Sequence, residues 1–423
     1  MKIQEIDKDT FDAFAKKHML RNFYQSKEYG EMMRKSEYSI MYIGGYKDEK
    51  LVAASLIMYK NIAPSIKYGY APRGFLINYY DTELLKEFSK KVKDFFFTKG
   101  YAFLKINPEV TYAIVDLEKK TKVINKKSEE LIKTLKQIGY DKLKDNLYFE
   151  SLLPKFTPVI NLTTYDLNNL SPMVRDQIQG IDEKGAFFTS GSKKDIEKFY
   201  SFIEKKDSKT KAYYAAILDY FKDSNMVDLL MLNLDYDNFV KYLQRRYIKE
   251  QENNDAINQM FKNNPNDTEI YNKKMSSDKM LNDISSDMAL INRKMRENIL
   301  KDVYGAAMVI KHQGRVTILI TGQKNEFKQI DFKTFMYYKI IKEYKKAGYL
   351  FMDLNVITGD FTNKNPYREL NRFKLKFKPT VYEYIGEFDL IVNKPIHQIL
   401  WSTNKIQKSF INKLFFKYIY LNY

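Results

Sequence analysis

Stretches where apolar and polar residues alternate, and stretches where apolar residues recur every three or four positions, divide the chain into strands and helices. Ser39 to Lys60 reads as two apolar strands joined by a polar turn at Lys47 to Lys50. From Thr82 to Thr98, Leu84, Leu85, Phe88, Val92 and Phe95 follow helical spacing; Gly100 closes that helix and YAFLKIN, Tyr101 to Asn107, begins a buried strand. The same order returns near the C-terminus. Tyr304 to Gly322 predicts a hairpin turning at His312 to Arg315, and a helix follows from about Phe332 to Lys346. AGYLFMDLN, Ala347 to Asn355, then matches KGYAFLKIN, Lys99 to Asn107, with Gly100 and Gly348 in equivalent places. An internal duplication is the simplest explanation.

Each copy sets an antiparallel hairpin before a helix that crosses over to another strand, the layout of an acetyltransferase-like (GNAT-like) domain. The expected fold is therefore α/β (α+β), with two tandem GNAT-like domains. Between the copies, Lys127 to Gly139 predicts a further helix and Leu153 to Asn161 a crossing strand. Asp166 to Gly185 reads as a capped basic helix, and Asp195 to Phe221 as helices rich in aromatic residues.

Residues 236–302 differ in kind. Val240, Leu243, Tyr247, Ile257 and Phe261 fit a three-four spacing, and after the break at Pro265 so do Leu281, Ile284, Met288, Ile291 and Met295. This predicts an antiparallel coiled-coil hairpin, each helix of about 25 residues projecting roughly 35 to 40 Å. The domains expected are residues 1–150, residues 151–235 with 303–400, the arm at 236–302, and a basic-aromatic tail at 401–423.

The chemistry is expected in ELNRFKLKFKPTVYEYIGEFDL, Glu369 to Leu390. Read as an extended segment, it puts Lys374, Lys376 and Lys378 on one side and Phe373 and Phe377 on the other, a face that attracts anions. An edge strand guarded by lysines has the same pattern. In YGYAPRGFLIN, Tyr68 to Asn78, Pro72 and Gly74 flank Arg73, a loop suited either to a phosphate or to an ordinary turn. Lys205, Lys206, Lys209 and Lys211 crowd one segment, as a solvated face also does. From Ile396 to Tyr423 lysines mix with Trp401, Phe410, Leu414, Phe415, Phe416 and Tyr418. Membrane-surface helices share that pattern with terminal helices packed on the body.

Composition narrows the chemistry. Lys plus Arg exceed Asp plus Glu by 71 − 53 = 18, which favours polyanionic partners: RNA, nucleotide diphosphates or an anionic membrane surface. Without cysteine there is no disulfide, thiolate metal site or Cys nucleophile. His18, His312 and His397 lack metal-ligand spacing, which argues against a His-based zinc site or a Ser-His-Asp triad. No signal peptide or run long enough to span a membrane is evident, so a cytoplasmic protein is expected.

Taken together, NFYQSKEYGEMM (Asn22 to Met33), YAPRGFLIN, FLKINPEV (Phe103 to Val110), the arm, the Gly-Tyr strand, NRFKLKF and YEYIGEFDL resemble the Fem family of aminoacyl-tRNA-dependent peptidyltransferases. The resemblance implies transfer of a small amino acid, glycine, alanine or serine, from aminoacyl-tRNA to the stem-peptide amine or growing bridge of a peptidoglycan precursor. Lipid II-like precursors are favoured over the UDP-linked muramoyl pentapeptide, with peripheral contact at the inner face of the membrane. No cofactor is implied beyond the tRNA co-substrate.

Attack of an amine on an activated ester needs alignment, deprotonation and charge neutralisation, but no nucleophilic side chain. By resemblance Lys374 neutralises charge or binds tRNA phosphate, and Phe373 shapes the pocket beside Phe377. Arg73, Arg34 and Lys35 are candidates for a precursor diphosphate. Three departures stand out. Asn107-Pro108 replaces Asp-Pro, leaving Glu109 as the substitute carboxylate. The Thr-x-x-Arg helix start aligns with Asp207 and Thr210, leaving Lys209 or Lys211 for the arginine. Glu369 stands where a glycine usually precedes Phe-Lys. An acetyl-CoA-dependent N-acyltransferase and a non-catalytic RNA- or membrane-binding adaptor are the alternatives.

Overall fold

The computed structural model describes residues 1–36, 38–119, 121–145, 147–149, 152–178, 180–204 and 209–402. Its strands, in chain order, are β1 (Lys2–Glu5), β2 (Ser39–Lys47), β3 (Lys50–Ala63), β4 (Ile66–Ala71), β5 (Tyr101–Ile106), β6 (Thr111–Asp116), β7 (Thr121–Ile124) and β8 (Tyr140–Lys142). There follow β9 (Phe156–Asn161), β10 (Ala186–Ser190), β11 (Val227–Asp235), β12 (Lys301–His312), β13 (Arg315–Gln323), β14 (Phe351–Asp353), β15 (Thr380–Tyr384) and β16 (Phe388–Ile391). They build a seven-stranded sheet, ordered β1-β2-β3-β4-β5-β16-β8, and a nine-stranded sheet, ordered β10-β11-β12-β13-β14-β9-β15-β6-β7.

The duplicated unit is plain in both sheets: β4 pairs parallel with β5 and β13 parallel with β14, each pair joined through a helix. Asp81 and Asp331 cap those helices, Thr82–Phe97 and Phe332–Lys346, by accepting bonds from Leu84 N and Thr334 N. Gly100 (φ 79°) and Gly348 (φ 82°) end them in the left-handed conformation that glycine adopts most readily. The hairpins correspond with an offset of one strand. Asp48–Glu49 and Gln313–Gly314 both have two positive φ values, suited to tight two-residue turns, but the first turn joins β2 to β3 and the second β12 to β13. The counterpart of β12–β13 is β3–β4, so Tyr68 to Ala71, taken with the loop Tyr68 to Asn78, in fact belong to β4, the strand before the helix.

The sheets do not divide the chain at residue 150. After β5 the chain leaves the first sheet through Asn107 to Val110 and supplies β6 and β7 to the second, while after β15 it returns through Ile385 to Glu387 to supply β16 to the first. Ile385 N donates to Val110 O at 3.0 Å, so the two crossings run side by side. The halves also share one apolar core: Tyr29, Met32 and Tyr70 cluster with Phe199, Tyr214, Phe221 and Met308.

The segment Asp166 to Gly185 is not one helix. It forms Pro172–Ile178 between two short turns of 3-10 helix, with Gly180 at φ 65° ending the regular part. The arm consists of helices Tyr236–Asn263 and Thr268–Arg296 lying against each other. Leu243, Ile284 and Ile291 are buried near its base; farther out the seam is polar, with buried Asn254 donating to Ser277 Oγ at 3.1 Å. Of the C-terminal stretch, helix Lys394–Ser402 is described; residues 403–423 and Lys205 to Ser208 lie outside the described residues. No helix among the described residues is long and apolar enough to cross a membrane.

Candidate active site

Lys374 lies on a helix, Arg368–Leu375, and not on a strand. Leu370, Asn371, Lys374 and Phe377 are buried, a spacing of three and four, while Lys378 is exposed. Phe373 and Phe377 are four residues apart, which suits one face of a helix as well as one side of a strand. Both rings pack on Tyr337, at centroid distances of 4.9 and 5.7 Å. Lys376 and Lys333 hold their ammonium groups 4.5 and 4.1 Å from the Phe373 ring centroid. Phe377 itself is fully buried, so the half-buried Phe373 is the aromatic edge presented outward.

The Lys374 side chain is 5% exposed and Nζ donates to Val356 O at 2.8 Å. No carboxylate of the described residues pairs with it within 4 Å. Burial pushes its pKa down to about 7; Asp353 opposes the shift and Lys333 adds to it. Lys374 is thus poised to switch between ammonium and amine near neutrality.

A network of ion pairs sits where the two chain crossings meet. Arg73 N donates to Asn107 Oδ1 and Arg73 Nη2 to Pro154 O, both at 2.9 Å. The Arg73 guanidinium lies 3.4 Å from Glu109 Oε1 and 5.1 Å from the Tyr384 ring centroid. Arg315 Nη1 donates to Glu109 Oε2 at 2.9 Å, and its Nη2 to Asp353 Oδ2 at 2.6 Å. Burial alone would raise the Glu109 carboxyl; Arg315 and Arg73 outweigh it and hold the carboxyl below its ordinary value. A carboxylate so paired is a poor proton acceptor. Asn107 also bonds Tyr70 Oη, at 2.9 Å, and so orients the loop that carries Arg73 at φ 55°.

Other expected contributors lie elsewhere. Arg34 ends the helix Lys27–Arg34 and pairs with Glu31 at 3.5 Å, with exposed Lys35 capping that helix. Lys209 and Lys211 flank Thr210 at the start of helix Lys211–Phe221; Lys209 lies over Tyr213, 5.1 Å from its ring centroid, and Lys211 pairs with Glu197. Asp389 pairs with buried Lys105 at 2.7 Å, a structural arrangement. A cleft of about 700 Å³ opens along another face of the Lys374 helix, lined by Arg368 and Arg372, by the carboxylates Asp360 and Glu369, the latter 3.5 Å from Arg368, and by the apolar Leu117, Phe361 and Leu375.

A model described as the FemAB family matches residues 6–405. The chain belongs to the FemAB family. It is 22% identical over 423 residues to the aminoacyltransferase FemA of Staphylococcus epidermidis strain RP62A, covering 96% of this chain and 100% of that protein. The aminoacyltransferase FemA of Staphylococcus aureus strain bovine RF122 / ET3-1 is 21% identical, covering 96% and 99%. A crystal structure of FemX superposes with a TM-score of 0.72 at 18% identity, covering 94% of this chain and 99% of that one. With the family established, the chain is an aminoacyltransferase.

Arg315 and Asp353 escaped sequence reading. Asp353 had a visible signal: aligned on the repeat it occupies the place of Lys105, a charged residue inside an otherwise apolar strand, and both are buried and paired. Arg315 had none, because an arginine after a tight turn looks like any solvated turn residue.

Proposed function

We propose that this FemAB-family enzyme moves a glycine, alanine or serine from aminoacyl-tRNA to an amine of a lipid-linked peptidoglycan precursor, on its stem peptide or growing bridge. The observation that carries the reading is Lys374, buried, held by one carbonyl and paired with no carboxylate among the described residues, beside the aromatic edge of Phe373. Such an ammonium is desolvated, so it stabilises a developing oxyanion far more than an exposed lysine does. The acceptor amine attacks the ester carbon, negative charge gathers on the carbonyl oxygen opposite Lys374, and collapse expels the tRNA ribose oxygen, which takes up the proton released by the amine. Glu109 serves in this scheme as a counter-charge to Arg73 and Arg315, not as the base.

The cleft with Arg368 and Arg372 is the candidate for the RNA end: Arg372 and, when it releases Glu369, Arg368 offer guanidiniums for phosphate, and Leu117, Phe361 and Leu375 an apolar wall for a base. Arg73 is committed to Glu109, Pro154 and Tyr384, which makes it a structural cation in preference to a diphosphate ligand. The test is transfer in vitro from a mixture of charged tRNAs to lipid-linked and UDP-linked precursors, with products identified by mass spectrometry. Loss of transfer in Lys374→Ala is expected. Wild-type transfer by that variant, or acetyl-CoA turnover without tRNA, would overturn the reading.

A further inference from the structure

Arg315 enters the scheme above only as a partner of Glu109, yet it occupies the joint between the sheets. We infer that Arg315 is a positioning residue, tying the sheet crossing at Glu109 to the turn that holds Lys374 and setting how much of the Asp353 charge reaches the Lys374 amine. The inference rests on Lys374 acting in transfer.

The connection is continuous. One side of the Arg315 guanidinium takes Glu109 Oε2 at 2.9 Å and the other takes Asp353 Oδ2 at 2.6 Å. The second Asp353 oxygen accepts Asn355 N at 2.7 Å, and Asn355, at φ 66°, donates through Nδ2 to Leu319 O at 2.7 Å. The next carbonyl, Val356 O, receives Lys374 Nζ at 2.8 Å. Rotation of the Asp353 carboxylate would therefore move the turn and the carbonyl together. The Arg315 Nε atom is buried without a hydrogen-bond partner among the described residues, and the guanidinium is held by its two carboxylates together with the Tyr384 hydroxyl.

Charge follows the same path. The charged groups that bear on Lys374 are Asp353 from the end of β14 and Lys333 from the helix Phe332–Lys346. Lys376, just past the end of the Lys374 helix, turns to Thr334 and Asp331. Arg315 and Glu109 reach Lys374 through Asp353. Because Arg315 shares the Asp353 carboxylate, removing the guanidinium leaves more negative charge facing Lys374, and removing the carboxylate leaves none. The two deletions break one ion pair but act on Lys374 in opposite directions.

The experiment compares Arg315→Gln and Asp353→Asn in the full chain. If transfer requires the Lys374 ammonium, the rate falls as pH rises through its titration. Arg315→Gln should move that alkaline limb up, and Asp353→Asn should move it down, by about one pH unit each. A merely structural bridge would lower kcat in both variants and leave the limb in place, which would overturn the inference. Titration of the Lys374 amine by NMR of lysine-labelled protein without substrate reads the coupling apart from turnover. Wild-type transfer by Lys374→Ala would instead sink the catalytic reading. If either substitution prevents folding, Glu109→Gln substitutes: it frees Arg315 for Asp353 alone, and the titration should move down.

Discussion

Replacing Lys374 with methionine should stabilise the fold while ending transfer. The unfolded lysine titrates near 10.5, and in the fold burial, reinforced by Lys333 and opposed by Asp353, brings it to about 7. Between those values the unfolded chain binds a proton that the folded chain does not, so stability rises with pH across that window. Below about pH 7 both states are protonated and the folded state bears the whole penalty of a buried ammonium. At neutral pH, a displacement of this size corresponds to about 4 kcal/mol.

Methionine nearly matches the volume of lysine but cannot donate to Val356 O, and an unsatisfied buried carbonyl costs about 1–3 kcal/mol. The net gain expected for Lys374→Met is therefore about 1–3 kcal/mol near neutrality, shrinking as pH approaches about 10. Urea unfolding of both proteins at several pH values measures it, since equal slopes let the midpoints be compared directly. A variant less stable than wild type at every pH, with a constant gap, would refute the claim that Lys374 is a strained cation.

Three further outcomes follow from particular residues. Alanine at Arg368 or Arg372 should raise KM for aminoacyl-tRNA and lower the salt slope of its binding by about one for each phosphate no longer neutralised, with kcat for saturating tRNA retained; an unchanged slope would remove the cleft from the RNA path. Gly100→Ala and Gly348→Ala both place a side chain at positive φ, at about 1–2 kcal/mol, but a Cβ at Gly100 would also meet Ser65 O at 2.7 Å, whereas Gly348 has open space. Gly100→Ala should thus be clearly the less stable by urea midpoint, and equal midpoints would contradict the packing. Asp389→Asn strands buried Lys105 and should destabilise by about 3–5 kcal/mol, while the double change Lys105→Met, Asp389→Leu recovers most of the loss; failure to recover would mean that the pair does more than balance charge.

Local patterns carried most of the repeat. The aspartate caps, the Gly-Tyr corners and the apolar helix faces each act over a few residues, so the helices Thr82–Phe97 and Phe332–Lys346 lie almost where their spacing put them. The Lys374 segment did not, because Lys and Phe at 373 to 377 fit a period of two and a helical turn equally well, and partners distant in sequence, Tyr337 for the rings, Val356 for Lys374 and Thr358 for Asn371, go with the helix. Exchange of β6, β7 and β16 between the sheets was likewise invisible: a strand carries the pattern of its two faces, not the identity of its neighbours. Asn107 and Glu109 were singled out as bearing on the chemistry, and the structure gives them to the orientation of Arg73 and the neutralisation of two guanidiniums.

The exchange explains why those residues stand together. A chain that changes sheets leaves the strand ladders for a few residues, and Asn107 to Val110 and Ile385 to Glu387 are two such places, lying side by side. Arg73 joins these places to the approach to β9, donating Nη2 to Pro154 O two residues before that strand while lying over Tyr384 at the end of β15. A buried arginine needs a carboxylate in turn, and Glu109 meets it from one crossing while Arg315 links it to the second sheet. Charge at the joint thus serves the fold before any substrate is considered. Lys374 gains from it: a scaffold that must hold ionic groups at its seam can keep a lysine desolvated nearby, because Asp353, already fixed by Arg315, tempers the loss of hydration. Halves joined only by an apolar face would leave that amine either wet or wholly neutral.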